Sequence, residues 1–343
     1  MRISLRICAF SLAACLALAQ RALAADEAWI AAARQEGHVT WYTTQIIDQF
    51  ARPAAEAFEK KYGIKVDFLR TDSSELALRI VNEAHAGKVQ ADIFDGTAPT
   101  PALKRQGLVE QWIPPSAEAL PGQYYDRDHY WAATNLYVLT PGFNTELVPK
   151  GSEPKTYQDL LDAKWKGRMA WNSASQTSAG PGFIGIVLAD MGDEKGMAYL
   201  RELSKQNIAG LKVAARQVLD QVIAGEYAIA LQIFNNHAVI SAAQGAPSAW
   251  IPMNPALVVL SALSLTKDAP HPNAGKLFFD FLISEDGQKL YRAADYLPVD
   301  PKVPPRDPGL RPDGVTFRGI TVTPEQIDAS MPKWVGIYND LFR

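Results

Sequence analysis

The chain has only two cysteines, Cys8 and Cys15, and both lie within its first fifteen residues. If the segment 1–24 is removed on export, the rest of the chain has no cysteine, which excludes disulfide bonds and thiol catalysis. The motifs of zinc proteases, serine hydrolases and phosphate-binding loops are missing as well. After the first segment, no apolar run reaches the length of about eighteen residues that a membrane helix needs.

A surplus of basic residues is also missing. The full chain has 34 basic and 37 acidic residues. Three of the arginines lie in the segment 1–24, so the remaining chain keeps 31 basic residues and a net charge of −6. Nucleic acids and anionic lipids attract proteins through clusters of Lys and Arg. The sequence therefore predicts that neither is a partner.

The first 24 residues have the pattern of a secretory signal peptide. Two arginines precede an apolar run from Ile7 to Ala19, which is too short to span a bilayer, and small residues precede a cleavage site after Ala24. A lipoprotein signal that ends at Cys15 is the alternative, but residues 16–25 are mostly apolar where a polar tether is expected. We expect export to the periplasm, with lipid anchoring at Cys15 as the second interpretation.

Apolar strands alternate with amphipathic helices along the rest of the chain. The β-α-β-α-β order of residues 38–96, with a serine N-cap on its second helix at Ser73, predicts a parallel sheet. Further strands are predicted at 130–139, 169–171, 227–234 and 258–265, with a turn at 141–144 and a final helix at 324–342. The fold class is therefore α/β.

Polar residues directly follow several of the predicted strands. Ligands of open α/β sheets bind outside the carboxyl ends of the strands, and a hydroxyl-rich loop before a helix suits an anion. The same residues serve elsewhere as plain turn and cap residues, and that interpretation stays open here. The candidates are Thr43, Thr44, Gln45, Thr97, Ser175, Ser178, Asn236 and His237.

Five segments occur in a characteristic order along the chain. They are WYTTQ (41–45), ADIFDGTAPTPAL (91–103), KWKGRMAW (164–171), GEYAIALQIFNNHA (225–238) and HPNAGKLFFDFLISEDGQKL (271–290). Together they resemble the bacterial periplasmic solute-binding proteins of the ferric-ion-binding type, the receptors that feed ABC importers. The resemblance covers nearly the whole chain after the signal peptide.

The resemblance implies the type II periplasmic binding protein fold, in which two α/β lobes with mixed sheets are joined by two crossover hinge strands. Lobe 1 would comprise residues 25–129 and 259–300, and lobe 2 residues 130–258 and 301–343. Tyr137, on a hinge strand, is a further ligand candidate, although packing is the commoner role of such a residue. The implied function is capture of a small molecule by hinge closure, as a monomer, for a membrane permease, without catalysis or a cofactor.

This chain departs from the iron-binding pattern. Iron-binding members place a Tyr-Tyr pair where it has His237 and Ala238, and further metal donors where it has Ile46 and Thr97. Ferric iron prefers anionic oxygen donors, so we expect no metal there. Arg216 can grip a carboxylate or phosphate through two parallel hydrogen bonds, although it is also a plausible surface residue. The sequence therefore predicts a phosphorylated or carboxylated metabolite as ligand; binding of ferric iron or a ferric chelate is the alternative, followed by an exported enzyme on the same fold.

Overall fold

The computed structural model describes residues 27–343, so the predicted signal peptide and both cysteines lie outside it. The first part of the described chain contains a helix α1 (27–36) and the parallel strands of the predicted sheet. Its further elements are β1 (His38–Thr43), a π-helical turn (Ile47–Ala51), α2 (Arg52–Tyr62), β2 (Lys65–Arg70), α3 (Ser73–His85), β3 (Ile93–Gly96) and α4 (Pro99–Arg105). Strand β1 pairs in parallel with both β2 and β3, which confirms the predicted β-α-β-α-β unit.

Local sequence explains where these helices begin and end. Helix α2 buries Ala54, Ala55 and Phe58 on one side and stops at Gly63, which takes a φ of 73° that glycine adopts easily. The N-cap of α3 is Asp72, whose carboxylate accepts hydrogen bonds from the backbone of residues 74 and 75. The predicted serine N-cap at Ser73 was therefore wrong by one residue, because the carboxylate takes both free N–H groups.

The middle of the chain crosses the sheet and then adds a second set of strands. Its elements are β4 (Ala132–Asn144), β5 (Met169–Asn172), α5 (Gly180–Leu203), β6 (Ala209–Leu211), α6 (Ala215–Ile223), β7 (Ile229–Phe234), α7 (Asn235–Ala243) and β8 (Ser248–Trp250). Strand β5 pairs in parallel with β6 and β7. The predicted turn at 141–144 was wrong, because β4 runs on to Asn144 with only a bulge between Thr140 and Gly142.

The last part of the chain returns through the sheet and ends in a long helix. Its elements are β9 (Ala256–Leu265), α8 (Pro272–Ile283), α9 (Glu285–Ala293), β10 (Leu297–Pro298), β11 (Gly319–Val322) and α10 (Pro324–Phe342). Strands β4 and β9 pair with each other and lie between the two strand sets, in the order β2-β1-β3-β9-β4-β7-β5-β6. They occupy the place predicted for the crossover strands.

Helix α10 contacts both parts of the molecule. Its Trp334 packs so closely on α5 that a Cβ added at Gly185 would lie 2.6 Å from the indole ring. Near its start, Asp328 forms an ion pair with Arg105 of α4, and Glu325 accepts a hydrogen bond of 2.7 Å from the Trp131 indole. Among the helices of residues 27–343, none is long and apolar enough to cross a membrane.

Candidate functional site

Two edges of the sheet face each other across a cleft. The first edge is formed by the carboxyl ends of β1, β2 and β3, and the second edge by those of β5 and β7, because the strands of each set are parallel. The positive charge of Arg70, at the end of β2, lowers the pKa of His237, which lies just after β7. The edges that carry the predicted candidates are therefore close in space.

A buried carboxylate organises the first edge. Asp95 accepts hydrogen bonds from the Trp41 indole at 2.8 Å and from the Thr43 hydroxyl at 2.5 Å. It also accepts from both the backbone N–H and the hydroxyl of Thr44, at 3.0 and 2.7 Å. Burial raises the pKa of the Asp95 carboxyl, while these hydrogen bonds oppose the rise. Asp95 was not predicted as a site residue, since a carboxylate near a strand end has no signature of its own.

Gln45 and Tyr137 lie together at the base of the cleft. The Gln45 amide donates to Asn135 at 3.1 Å and to Ser261 at 3.2 Å, and its oxygen accepts from the Tyr137 hydroxyl at 3.0 Å. Both predicted residues thus connect the first edge to β4 and β9. Burial raises the pKa of the Tyr137 phenol well above its usual range, so the phenol stays protonated. Its ring lies 4.6 Å from that of Phe234.

His237 is buried at the start of α7, with its ring 5.1 Å from the Phe234 ring. Burial, together with the positive charges of Arg216 and Arg70, lowers the pKa of its imidazole to about 3. The histidine is therefore neutral at physiological pH. A buried, uncharged imidazole that lies under the positive charge of two arginines favours a negatively charged ligand.

The two arginines of the cleft differ in their partners. Arg216, on α6, bonds to Asp220 through Nε at 3.0 Å and a terminal nitrogen at 2.8 Å, and another terminal nitrogen lies 3.5 Å from the His237 carbonyl oxygen. Arg70 makes no hydrogen bond or ion pair through its side chain with any residue in the range 27–343. Sequence reasoning missed Arg70, although the same strand-end rule that selected Thr97 applies to it.

Two helices begin at the second edge without a side-chain N-cap. Helix α5 follows the loop 173–179, which a hydrogen bond of 3.1 Å from the Gln232 amide to the Thr177 carbonyl holds against β7. Helix α7 starts directly after β7. Ser175 is exposed and Ser178 half-buried, and neither hydroxyl bonds to another part of the described chain. Uncapped helix starts offer free N–H groups and a positive dipole end to an anion.

Several buried amide groups near these edges have no hydrogen-bond partner within residues 27–343. Asn172 ends β5 and Asn236 is the second residue of α7, and the Nδ2 of each is unpaired, as is that of Asn135 on β4. Such groups are rare in folded proteins, since each unpaired donor costs roughly 1–3 kcal/mol. Thr97 is half-buried beyond β3, and its hydroxyl likewise makes no described bond. The three unpaired amide donors suit a ligand with acceptor oxygens, and the unpaired Oδ1 of Asn235, the first residue of α7, is an acceptor beside them.

In the part of the chain that the structure describes, no group of three or more His, Cys, Asp or Glu side chains is arranged to hold a metal. Burial also raises the pKa values of Tyr291 and Tyr296, the tyrosines beside Phe50, so these phenols are poor sources of the phenolate oxygens that ferric iron prefers.

The sequence profile of the bacterial extracellular solute-binding proteins matches residues 53–312. The chain belongs to this family. A Salmonella typhimurium protein with the provisional name 2-aminoethylphosphonate-binding periplasmic protein is 25% identical to this solute-binding protein over 312 residues, which cover 87% of this chain and 84% of the relative.

Two solved structures share the fold of this solute-binding protein. Iron-bound HitA from Pseudomonas aeruginosa superposes with a TM-score of 0.73 at 22% identity, covering 89% of this chain and 99% of HitA. AfuA from Actinobacillus pleuropneumoniae, with fructose-6-phosphate bound, has a TM-score of 0.74 at 22% identity and covers 89% of this chain and 98% of its own. These similarities confirm the type II periplasmic binding protein fold that the sequence motifs implied.

Membership also settles the general function. The protein is the solute-binding component of an ABC transporter, and the members of its family bind solutes rather than transform them. HitA is bound to iron and AfuA to fructose-6-phosphate, so the shared fold does not select the ligand. The selection depends on the side chains of the cleft.

Proposed function

We propose that this solute-binding protein captures a small organic anion in the periplasm and delivers it to a membrane permease. The ligand carries a phosphate, phosphonate or carboxylate group. The observation that supports this most concerns Arg70 and Arg216, which come from opposite edges of the cleft. The positive charges of both lower the pKa of the buried, neutral His237. We further propose that the protein acts as a monomer and without a cofactor.

The anionic group would bind at the second edge. The free N–H groups at the start of α7, the Gly180 N–H at the start of α5 and the unpaired amides of Asn172 and Asn236 can each donate to an anion oxygen. Arg216 would share its guanidinium between Asp220 and the ligand. Arg70 would supply the second charge from the first edge, so that one ligand holds both edges together. The ligand can contact both edges only in the closed form, so its binding favours hinge closure about β4 and β9.

The first test identifies the ligand directly. Native mass spectrometry of freshly purified protein, followed by denaturation, shows what the cleft releases. An organic phosphate, phosphonate or carboxylate supports the proposal. Release of iron with a carboxylate supports the ferric chelate that the sequence left as an alternative, and release of bare iron contradicts the proposal.

The second test removes the two charges in turn. Arg70→Gln and Arg216→Gln should each weaken binding of the released anion by roughly tenfold to a hundredfold, because charge-assisted hydrogen bonds contribute about 1.5–3 kcal/mol. Arg201→Gln, an exposed residue near the far end of α5, is the matched control and should bind as the wild type does. Isothermal titration calorimetry measures all three. Unchanged affinity in the double variant of Arg70 and Arg216 would overturn the anion assignment.

A further inference from the structure

The hydrogen bonds of Asp95 determine where the protons of two hydroxyl groups point. Each carboxylate oxygen accepts one bond from a group that can only donate, Oδ2 from the Trp41 indole at 2.8 Å and Oδ1 from the Thr44 backbone at 3.0 Å. The remaining two bonds come from the hydroxyls of Thr43 at 2.5 Å and Thr44 at 2.7 Å. A hydroxyl group has a single proton, so each of the two threonines donates its only hydroxyl proton to Asp95.

The two threonines differ in what they can still offer. The Thr43 hydroxyl oxygen also accepts a bond of 3.0 Å from the Gln45 backbone N–H, and the residue is fully buried. Thr44 is only half-buried, and within residues 27–343 its hydroxyl oxygen accepts no hydrogen bond. Thr44 therefore presents free lone pairs, and no proton, on the first edge of the cleft.

We infer that Asp95 is a positioning residue that makes the Thr44 hydroxyl a pure hydrogen-bond acceptor, so that the ligand presents a donor there, a hydroxyl or ammonium group, opposite its anionic group. The inference rests on the proposed anion function and specifies the other end of the same ligand.

Two pairs of small phosphates test whether the ligand presents a hydrogen-bond donor opposite its anionic group. Glycerol 3-phosphate and n-propyl phosphate share a chain length and a charged group but differ in hydroxyls, and phosphoethanolamine and ethyl phosphate differ in an ammonium group. The wild type should bind the donor-bearing member of at least one pair roughly threefold to tenfold more tightly, as expected for one added hydrogen bond. The pair that shows the preference distinguishes a hydroxyl from an ammonium group.

Two substitutions assign the preference to Thr44. Thr44→Val keeps the shape but removes the acceptor, so the affinity ratio should fall close to one. Thr44→Ser keeps the hydroxyl and should keep the ratio. Equal affinities within both pairs for the wild type would overturn the inference while leaving anion binding itself supported.

A measurement without ligand separates this inference from the proposed function. If none of the four phosphates binds, the phosphate form of the proposed function fails, and proton NMR of the ligand-free protein decides the inference alone. A hydroxyl proton held by a carboxylate exchanges slowly, so Thr44 should give a separate hydroxyl resonance that Thr44→Val removes and Thr44→Ser retains. Absence of that resonance in the wild type would overturn the inference.

Discussion

His237 stands where iron-binding members of the family carry a tyrosine, and its surroundings keep it uncharged. Burial is the main cause of its low pKa, and the charges of Arg216 and Arg70 add to it. An anion bound between the two arginines would offset their charge and make the imidazolium form less costly. The histidine therefore reports directly on what occupies the cleft.

We expect the pKa of His237 to be about 3 in the ligand-free protein and to rise when the anion is added. Titration of the imidazole C–H resonances by NMR measures the change, and His237→Gln identifies the resonance. The exposed His129 is an internal reference that the ligand should not affect. A His237 pKa that stays the same at saturating ligand would argue that the anion binds elsewhere.

The same histidine makes stability depend on pH. Its pKa is 6.5 in the unfolded reference and about 3 in the folded protein, so between these values the unfolded chain binds a proton that the folded chain does not. The His237 contribution is thus complete above pH 6.5 and is lost as the pH falls towards 3. The slope is at most about 1.4 kcal/mol per pH unit.

His237→Gln should therefore flatten the dependence of the free energy of unfolding on pH in that window. Urea denaturation at a series of pH values compares the variant with the wild type. Asp92 and Asp95, whose carboxyl pKa values burial raises, are present in both proteins, so their contributions cancel in the comparison. Parallel curves for the two proteins would contradict a buried neutral His237.

At the scale of elements, the start of α5 depends on a close approach of two backbone segments. A Cβ added at Gly182 would lie 1.8 Å from the Thr177 carbonyl oxygen, which belongs to the loop 173–179. A backbone carbonyl cannot rotate away from an added methyl group as the end of a flexible side chain can. The glycine therefore allows the loop and the first turn of α5 to form the second edge of the cleft together.

Gly182→Ala should lower the free energy of unfolding by about 1–3 kcal/mol and weaken ligand binding, because the loop must move to admit the methyl group. Gly336→Ala is the matched control on α10, where an added Cβ meets nothing within 4 Å. That change should raise stability by about 0.5–1 kcal/mol through the helix propensity of alanine. Chemical denaturation and calorimetric titration measure both, and a Gly182→Ala protein equal to the wild type would refute the close approach.

At the scale of the whole molecule, the described arrangement brings like charges together. Arg70 and Arg216 approach the same buried residue from the two edges, and unpaired amides remain at Asn172 and Asn236. Both features make the closed cleft costly without an anion and favourable with one. The edges are linked through β4 and β9, which leaves these strands as the natural axis of closure.

We expect the radius of gyration from small-angle X-ray scattering to fall when ligand is added to the wild type. Arg201→Gln should show the same fall, since its charge lies outside the cleft. The double variant Arg70→Gln with Arg216→Gln should show little change at the same ligand concentration. Identical scattering of the free and saturated wild type would contradict hinge closure.

The lobe boundaries predicted from the sequence remain a prediction at this scale. Helix α10, assigned to lobe 2, packs mainly on α5, yet its Asp328 forms an ion pair with Arg105 of the part assigned to lobe 1. A helix that contacts both sides of a hinge belongs fully to neither by contacts alone.

Much of the fold and part of the site could be predicted from the sequence. The alternation of strands and helices, the stop of α2 at Gly63 and the buried strand β7 followed from periodicity and local turn chemistry, which depend on neighbouring residues. The strand-end rule selected Thr44 and His237, and the structure places both at the facing edges. The turn predicted at 141–144 failed because pairing with β7 and β8 overrode the local preference of Pro-Gly.

What the sequence alone determined is the family and the class of fold, because each depends on residue types in a fixed order. What only the tertiary structure decided is which side chains work together. Asp95 meets Thr44 across 51 positions of sequence, and the Tyr137 hydroxyl meets Gln45 across 92. The charge of Arg70 lowers the pKa of His237 only because the two edges face each other. Charge and hydrogen bonding act through space, so the chemistry of this cleft is set by strand order.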